Sequence, residues 1–547
     1  MSLAHWVKGG RGYGLLLLLC LGLYLPGLAA LPVTDRDEAR FAQASRQMLE
    51  SGDFLRIRFQ DEARNKKPAG IYWLQSLSVA LLGDRESTAI WPYRVPSVIG
   101  AIAAALLTFG FAARATPREV AFAAAALLAA SLGVTIEAHL AKTDAALLAT
   151  AAAAQFSLGE IYRASRSGKS CGRGLPLLFW GAQGVGILIK GPITPLLSLL
   201  TVAALSIADR DWRWLVWLRP LLGLPLAALI AGPWLIAITL ATDGAFMSES
   251  VGTDFLGKLL HGQESHGAPP GTYLAIILLS FWPGSVALGA AALVGWRQRT
   301  EPATRFLLAW IVPFWLVLEA VPTKLPNYIL PVYPALALLA ARTLLDPAMA
   351  SHWRHWLARV AIALWAVLAL AIPAALLIAP LVLIGRLPVM TILGTALSIA
   401  LVALFLRSLR EGPPRPLPAI LAALVLWPTA FAWTLPALDP LWPSRSLMRL
   451  VASVGQAHRM IVIAGDSEPS LVFSLGTETK FMDGANAARF LERAPHGMAV
   501  IEGREENAFQ HVLRGDGVAA HALGQVSGFN YSNGRSLVLT LYERAAP

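Results

Sequence analysis

Long apolar stretches recur along almost the whole of this 547-residue chain. A helix needs about 20 mostly apolar residues to cross a bilayer, and thirteen stretches approach that length. The chain is 56% apolar and only 14% charged, whereas soluble domains carry about 25% charged residues. We therefore predict an all-α polytopic membrane protein with about 13 transmembrane helices. The stretches lie at about 13–32, 89–113, 118–136, 143–164, 175–190, 191–208, 219–241, 271–295, 303–320, 328–346, 356–382, 387–407 and 416–436.

The basic residues indicate the orientation of these helices. The net charge is +11, but the Lys and Arg residues are not gathered into one tract, which argues against nucleic-acid binding. They cluster instead in every second connection, as cytoplasmic loops do. This pattern predicts that the N-terminus lies inside. The first apolar stretch fits a signal peptide or a signal anchor, and because a dozen further spans follow, we take it as an uncleaved first helix. It leaves two long loops on the outer face, at about 33–88 and 242–270.

The composition becomes typical of a soluble domain from about residue 444. Short apolar runs at 460–464 and 498–501 predict buried strands, and residues 485–492 predict a helix. An alternating strand at 536–542 follows the Asn533-Gly534 turn. We therefore predict two domains, a transmembrane domain at 1–443 and a small α/β domain at 444–547 on the outer face. The second contains no motif that we can link to chemistry.

The first outer loop is predicted to carry two helices at the membrane surface. The first opens at Asp37-Glu38-Ala39-Arg40 and ends at Gly52. The second follows Lys66-Lys67-Pro68 and is strongly apolar over 69–82. The acid Asp37 has a purely structural interpretation, because Thr34-x-x-Asp37 resembles a capping box. The sequence leaves two roles open for Asp37, a part in the chemistry of the site or the capping of the helix.

Further ionisable residues lie near the outer ends of the predicted helices. Asp144 is too short to reach far toward water, which indicates a polar cavity around it. Lys190 and Lys324 lie between apolar runs on the same face, where each is either a loop anchor or part of an anion site. Glu264 and His266 form a weak candidate for a metal site. The sequence contains no Walker loop, Rossmann fingerprint or HExxH motif, so nucleotide-dependent chemistry on this face is not expected.

Several of these residues belong to motifs in a recognisable order. They are Asp37-Glu38-Ala39-Arg40-Phe41-Ala42, Met48-Leu49-Glu50-Ser51-Gly52-Asp53-Phe54, Lys67-Pro68 with Tyr72-Trp73, Lys190-Gly191, His266-x-Ala268-Pro269, and Thr323-Lys324-Leu325-Pro326-Asn327-Tyr328-Ile329-Leu330-Pro331. The set resembles the lipid A aminoarabinose transferases (ArnT) and the wider protein-mannosyltransferase-like group of GT-C fold glycosyltransferases. The resemblance implies the GT-C fold, a C-terminal periplasmic domain and a place in the bacterial inner membrane with the active site facing the periplasm.

The resemblance also implies roles for particular residues. Asp37 and Asp144 match functional acids, taken here as catalytic, and the donor is undecaprenyl phosphate bearing one sugar. The resemblance implies that no cofactor is required, and it leaves open whether a divalent cation binds near the outer-face site. Two departures are Lys66, where relatives often have Glu, and Gly267, where they have a basic residue. The residues matched to substrate binding are Arg40, Lys67, Tyr72, Lys190, His266, Lys324 and Tyr328.

The acceptor is open between two chemistries. Transfer of 4-amino-4-deoxy-L-arabinose to a lipid A phosphate, the modification linked to polymyxin resistance, presents an anionic nucleophile, and Asp37 would then orient the acceptor or hold the sugar's amine. Transfer to a hydroxyl of a protein, a pilin or another glycan would make Asp37 a general base. A transporter or flippase is a further alternative, although such proteins usually show internal repeats and we find none in this sequence.

Overall fold

The computed structural model describes residues 7, 9–34, 36–83, 88–169, 171–257, 267–411, 414–455, 460–494 and 496–545. Each of the thirteen predicted stretches is helical within these residues. Some consist of two helices in succession, because the helical hydrogen bonding is interrupted inside the stretch. The helices are Arg11–Tyr24, Trp91–Ala112, Arg118–Ala130 with Leu132–Ala138, Asp144–Ser167, Gly174–Lys190, Ile193–Asp209, Pro220–Ala241, Thr272–Ser280 with Leu288–Arg297, Pro302–Ala320, Tyr333–Leu345, Trp356–Ile384, Val389–Glu411 and Leu417–Pro428.

Seven helices in the described part of the chain are long and apolar enough to cross a membrane. An eighth is added if Arg118–Ala130 and Leu132–Ala138, which meet at an angle of 59°, form one span. Others, such as Gly174–Lys190 and Ile193–Asp209, are apolar but shorter. The protein is thus a multi-pass membrane protein, and the count of thirteen spans stays a prediction.

Small side chains let the helices approach closely at the centre of the bundle. Every residue from 123 to 130 is buried, and all but Leu127 and Leu128 are alanine. Helices in membranes gain contact area through such small residues. Next to this region, three fully buried indoles pack together: the rings of Trp282 and Trp365 stack at 5.8 Å, and Trp427 meets Trp282 edge-on at 5.3 Å.

Both helices predicted in the first outer loop are present, as Asp37–Ser51 and Gly70–Leu82. A two-stranded antiparallel hairpin, β1 (Arg58–Phe59) and β2 (Glu62–Ala63), lies between them and was not predicted. The Gly70–Leu82 helix exposes a row of leucines, consistent with the predicted contact with lipid. The remaining helical elements are short: Arg213–Leu218, Ala245–Met247, Ser248–Leu256, Gly284–Ala287, Pro326–Val332, Pro347–Arg354, Thr429–Thr434, Leu435–Ala437 and Asp439–Leu441.

The C-terminal region forms a five-stranded mixed sheet in the order β4-β3-β5-β7-β6. The predicted strands and the predicted helix at 485–492 are confirmed, while β4, β6 and three of the helices were not predicted. In β3 and β5 every residue is buried, which is why these strands were recognisable as apolar runs. The strands are β3 Ile461–Ala464, β4 Lys480–Met482, β5 Met498–Glu502, β6 Ala520–Asn530 and β7 Arg535–Arg544, and the helices are Pro443–Ser453, Pro469–Leu475, Gly484–Arg493 and Glu506–Gly515.

The Asp37–Ser51 helix is covered on two sides. One face packs Phe41, Ala44 and Met48 against the bundle. The other face is covered by the C-terminal region, so that Gln43 is fully buried and Arg46 is 9% exposed. Because it is covered on two sides, this helix is more enclosed than a helix lying on a membrane surface. Its second partner is a segment more than 400 residues away in the sequence.

Candidate active site

A small, mainly polar cavity lies where the outer-loop helices meet the ends of the bundle helices. Its volume is about 60 Å³. Five separate parts of the sequence contribute to it: the first turns of the Asp37–Ser51 helix, the segment before Gly70, the start of the Asp144–Ser167 helix, the end of the Gly174–Lys190 helix, and the segment after Lys324. The lining residues are Asp37, Arg40, Phe41, Arg64, Lys66, Lys67, Lys142, Thr143, Asp144, Lys190, Leu325, Asn327 and Tyr328.

Asp37 is not the residue that binds Thr34. Glu38 accepts hydrogen bonds from the backbone N–H of Thr34 at 2.8 Å and from its hydroxyl at 2.9 Å. The capping interpretation of Asp37 is thus wrong in its register, because the neighbouring acid makes those contacts. Glu38 is buried, whereas Asp37, the first residue of the helix, is exposed in the cavity lining.

Glu38 forms a fully buried ion pair with Arg94 of the Trp91–Ala112 helix, with Nε and Oε1 2.8 Å apart. Arg94 also donates to the carbonyl oxygens of Leu28, Leu31 and Pro32. Burial disfavours the charged carboxyl, but the guanidinium and the N–H donors outweigh this cost and hold the pKa of Glu38 below its usual value. The pair therefore stays ionised and fixes the chain just before the Asp37–Ser51 helix.

The same carboxylate connects this segment to the second acid of the cavity. Glu38 Oε1 accepts a hydrogen bond from the backbone N–H of Ala141 at 2.8 Å. Ser97, one helical turn after Arg94, donates to the Leu140 carbonyl oxygen at 2.6 Å. Residues 140–144 are thereby held against the start of the Asp37–Ser51 helix. One buried network positions both Asp37 and Asp144.

Asp144 lies at the centre of a hydrogen-bonded group of charges. Its Oδ1 accepts from Lys190 Nζ at 2.5 Å and from Asn327 Nδ2 at 2.7 Å. Lys190 Nζ also lies 5.3 Å from the centre of the Tyr328 ring, a cation–π distance. Three predicted site residues, Asp144, Lys190 and Tyr328, thus come together although they are far apart in sequence.

Lys142 lines the cavity beside these residues and does not extend toward water. Its Nζ lies 3.3 Å from Glu137 Oε1. Burial of the ammonium opposes its charge, but the carboxylates of Glu137, Asp144 and Asp37 outweigh that effect and raise the pKa of Lys142. Lys142 is therefore held near several carboxylates, among them the two candidate catalytic acids.

Two glycines allow the elements around the cavity to approach closely. A Cβ at Gly70 would lie 2.6 Å from the Leu188 carbonyl oxygen, so glycine lets the segment carrying Lys67 reach the helix carrying Lys190. A Cβ at Gly100 would lie 2.7 Å from the Ala145 carbonyl oxygen. Both contacts involve backbone atoms, which have little freedom to shift.

Tyr72, predicted to bind substrate, lies behind the lining. It is fully buried, its ring packs 5.3 Å from that of Phe41, and its hydroxyl accepts a hydrogen bond from Arg64 Nε at 3.3 Å. Arg64 in turn lies 5.3 Å from the centre of the Phe41 ring. Tyr72 thus supports a cavity residue that the sequence analysis did not select.

Lys324, also predicted to bind phosphate, lies outside the lining. Its ammonium donates to the carbonyl oxygens of Val321 at 2.6 Å, Glu319 at 2.9 Å and Leu318 at 3.4 Å. These carbonyls belong to the C-terminal end of the Pro302–Ala320 helix, where orphan acceptors and the helix dipole favour a cation. The geometry does not support the prediction of phosphate binding, and we leave Lys324 out of the proposed site. His266 and Glu264 lie outside the described residues.

Seven lining residues were missed as site residues: Phe41, Arg64, Lys66, Lys142, Thr143, Leu325 and Asn327. Asn327 is part of a motif that we recognised, so its position carried a signal. Lys66 was noted only as a departure. For Arg64 the sequence contained no signal. Among the described residues, no group of three or more His, Cys, Asp or Glu side chains is placed to hold a metal ion.

Similarity to known proteins is found in sequence and in structure. The family model described as dolichyl-phosphate-mannose-protein mannosyltransferase matches residues 66–236, less than half of the chain. The undecaprenyl phosphate-alpha-4-amino-4-deoxy-L-arabinose arabinosyl transferase of Edwardsiella ictaluri is 31% identical over 339 residues, which cover 61% of this chain and 60% of the relative. The protein of the same name from Pectobacterium carotovorum is 29% identical, with 66% and 64% covered. The chain thus spans less than two thirds of the length of these relatives.

The structural similarity extends over the whole molecule. The crystal structure of ArnT from Cupriavidus metallidurans bound to undecaprenyl phosphate superimposes with a TM-score of 0.77, covering 98% of both chains at 18% identity. The chain has the ArnT fold. The oligosaccharyltransferase of Archaeoglobus fulgidus is more distant, with a TM-score of 0.53 at 11% identity. The resemblance to ArnT and to the GT-C group is therefore confirmed, including the all-α membrane bundle with its small C-terminal sheet region.

Proposed function

We propose that this protein is a glycosyltransferase that moves a single sugar from undecaprenyl phosphate to an acceptor on the periplasmic side of the bacterial inner membrane. The observation that carries the proposal is the composition of the cavity, where six cationic side chains and two carboxylates meet. Such a set suits a phosphate ester that becomes more negative as it leaves. The ArnT fold and the names of the sequence relatives support the same activity.

In this reaction the bond between the sugar's anomeric carbon and the phosphate oxygen breaks, and its electron pair stays on that oxygen. The lipid leaves as undecaprenyl phosphate, while a new bond forms between the anomeric carbon and the acceptor oxygen. Arg40, Lys67 and Lys190 are the proposed phosphate ligands, because preorganised cations in a site poor in water stabilise developing negative charge. Asp144 holds Lys190 in place for this role.

For the sugar and acceptor, we propose 4-amino-4-deoxy-L-arabinose and a lipid A phosphate, a modification that confers polymyxin resistance. The names of the relatives support the sugar. The cations in the cavity outnumber the carboxylates, which suits the binding of a second anionic group beside the donor phosphate. An acceptor phosphate is such a group, and it attacks without losing a proton. In this case Asp37 orients the acceptor or holds the sugar's ammonium group.

One observation favours a second candidate, transfer to a hydroxyl of a protein, a pilin or another glycan. Asp37 is the exposed carboxylate of the cavity, whereas Asp144 is engaged by Lys190 and Asn327. An exposed carboxylate is suited to accept the proton of a hydroxyl nucleophile. The two candidates share the donor and the phosphate ligands and differ only in the acceptor.

Mass spectrometry of lipid A and of envelope proteins, from cells with and without this gene, tests both candidates. Lipid A heavier by one aminoarabinose only when the gene is present supports the first. A sugar on a protein with unmodified lipid A supports the second. If neither changes, and membranes containing the protein consume no undecaprenyl-phosphate-linked sugar, the proposed activity is wrong.

We further propose that transfer requires no cofactor. The cations of the chain itself supply the positive charge that a metal ion would bring to a phosphate. Full activity of the purified protein in a chelator such as EDTA is the expected result. Activity that is lost in EDTA and restored by a divalent cation would assign a metal to the outer-face site.

A further inference from the structure

Arg36, the residue that precedes Asp37, contacts the C-terminal region. Arg36 has φ +59° and ψ −98°, a conformation that a non-glycine residue adopts only under constraint. Its Nε lies 3.8 Å from Glu468 Oε1. Glu468 is 9% exposed and accepts a hydrogen bond at 3.0 Å from Asn530, whose side-chain nitrogen also binds Asp466 at 3.1 Å. The unusual backbone at Arg36 is thus paired with a carboxylate that the C-terminal sheet holds in place.

A second set of contacts follows the outer face of the Asp37–Ser51 helix. The Thr477 hydroxyl donates to Glu50 Oε2 at 2.8 Å and accepts from Gln43 Nε2 at 2.7 Å. Arg46 Nη1 donates to the Phe473 carbonyl oxygen at 3.3 Å. Residues 43, 46 and 50 share one face of a helix, so these contacts fix both the position of the helix and its rotation about its axis.

An apolar anchor lies under these polar contacts. The side chain of Phe473 is 1% exposed and belongs to the same buried cluster as Ala39, Ala42 and Val79. Its ring meets that of Tyr93 edge-on at 5.5 Å. The cluster therefore joins the C-terminal region to both outer-loop helices and to the bundle.

The same segment contacts the chain that leads to the cationic part of the cavity. Gln60, in the β1–β2 turn, donates through its amide nitrogen to the carbonyl oxygens of Thr477, at 3.2 Å, and Thr479. The hairpin runs directly into Arg64, Lys66 and Lys67. Residues 468–479, here called the docking segment, thus touch both pieces of chain that supply the outer side of the cavity.

We propose that the docking segment is a positioning element for the transfer reaction, with Glu468 and Thr477 as positioning residues that hold Asp37 through Arg36 and through the helix face. The inference rests on the proposed glycosyltransferase activity. Its physical reason is that an error of about 1 Å in the place of a reacting group costs about a hundredfold in rate. The C-terminal region, in which the sequence shows no chemical motif, then acts on the reaction without touching substrate.

Three substitutions in the full-length protein test the proposal. Thr477→Val keeps the shape but removes both hydrogen bonds, whereas Thr477→Ser keeps the hydroxyl. Glu468→Gln removes the charge opposite Arg36. The matched control is Glu478→Gln, at an exposed position of the same segment. We expect Thr477→Val and Glu468→Gln each to lower transfer by about twofold to fivefold, the combination to lower it by about tenfold, and Thr477→Ser and Glu478→Gln to resemble the unsubstituted protein.

Amide hydrogen exchange supplies a readout that does not depend on activity. Exchange should rise within residues 37–51 in the Thr477→Val and Glu468→Gln variants and stay unchanged in the transmembrane helices. Unchanged exchange at 37–51 with full transfer would overturn the inference, as would exchange that rises throughout the protein. An unsubstituted protein without transfer would instead reject the proposed activity, and the two failures are therefore distinguishable.

Discussion

Asp37 and Asp144 face the same cavity in different electrostatic surroundings. Asp144 is 3% exposed and bound by an ammonium and an amide, so its charge is already compensated. Asp37 is exposed in the first turn of a helix, and it lines the cavity. Of the two acids, Asp37 is therefore the one available to a substrate, and Asp144 holds a cation in place.

Replacing Asp37 by Asn should reduce transfer by at least about a hundredfold while expression and folding remain normal, since general base catalysis or charge-assisted orientation is lost but no buried contact is. Transfer assayed in membranes measures the effect. Asp61→Asn, in the exposed β1–β2 turn, is the matched control and should remain active. Near-normal transfer by the Asp37→Asn variant would reject its catalytic role.

Replacing Lys67 by Ala should weaken binding of the polyprenyl phosphate donor by about tenfold or more, because a charged hydrogen bond to phosphate is lost. Titration of the purified protein with undecaprenyl phosphate measures the affinity. Lys480→Ala, at an exposed position of β4, removes a lysine that does not line the cavity, and this variant should bind the donor normally. Equal affinities of the two variants would place Lys67 outside the phosphate site.

Among the structural elements, the segment before the Asp37–Ser51 helix depends on one buried ion pair. Replacing Glu38 by Gln leaves the Arg94 guanidinium buried without its counter-charge, and breaking such pairs costs about 3 to 5 kcal/mol. We expect a clear drop in the melting temperature in detergent together with loss of transfer. The exposed hairpin variant Glu62→Gln serves as control. A Glu38→Gln protein that melts normally would contradict the positioning network.

The C-terminal sheet region contains a carboxyl group whose charge opposes folding. Burial and the neighbouring Glu468 raise the pKa of Asp466 from 3.8 to about 6, with Glu502 adding to the effect while Asn530 and Arg504 oppose it. The folded state thus binds the proton more tightly than the unfolded state. Stability therefore falls as the pH rises from about 4 to about 6 and then stays at the lower level.

Asp466→Asn should remove this dependence and stabilise the protein at pH 7.5 by about 1 to 2 kcal/mol, since a neutral amide still accepts the hydrogen bond from Asn530. Thermal unfolding of both proteins at pH 5 and 7.5 gives the comparison. The expected result is a larger gain at pH 7.5 than at pH 5. A gain of equal size at both pH values would show that the charge is not responsible.

For the whole molecule, the distribution of Lys and Arg residues along the sequence predicts which loops face the cytoplasm and which face the outside. Cys171 is partly exposed and lies in a basic loop predicted to be cytoplasmic, while the C-terminal region is predicted outside. In intact cells whose outer membrane has been permeabilised, a thiol reagent that cannot cross the inner membrane should label a Lys480→Cys protein but not Cys171. Labelling of Cys171 under these conditions would reverse the predicted orientation.

Most of the fold could be predicted from the sequence, because the signals for its helices lie within short stretches of the chain. Apolar runs long enough for a bilayer, such as Trp356–Ile384, identify themselves, since lipid forces the backbone to satisfy its own hydrogen bonds. Asp37, Arg40 and Lys67 were also recognisable, as parts of motifs a few residues long. The number of spans was harder to predict, because Arg118–Ala130 and Leu132–Ala138 meet at an angle and Gly174–Lys190 is short. Helix length alone therefore does not decide whether a segment crosses the membrane.

Contacts between distant segments were decided only by the tertiary structure. Sequence spacing cannot show that Glu38 rather than Asp37 binds Thr34, or that Lys324 faces helix carbonyls while Lys142 faces the cavity, because each depends on the direction of a side chain in a packed environment. The same holds for the docking segment, which meets the Asp37–Ser51 helix across more than 400 residues. Composition and motifs determined that this chain is a membrane protein with an acidic and cationic outer loop, and packing determined which of those charges form a site.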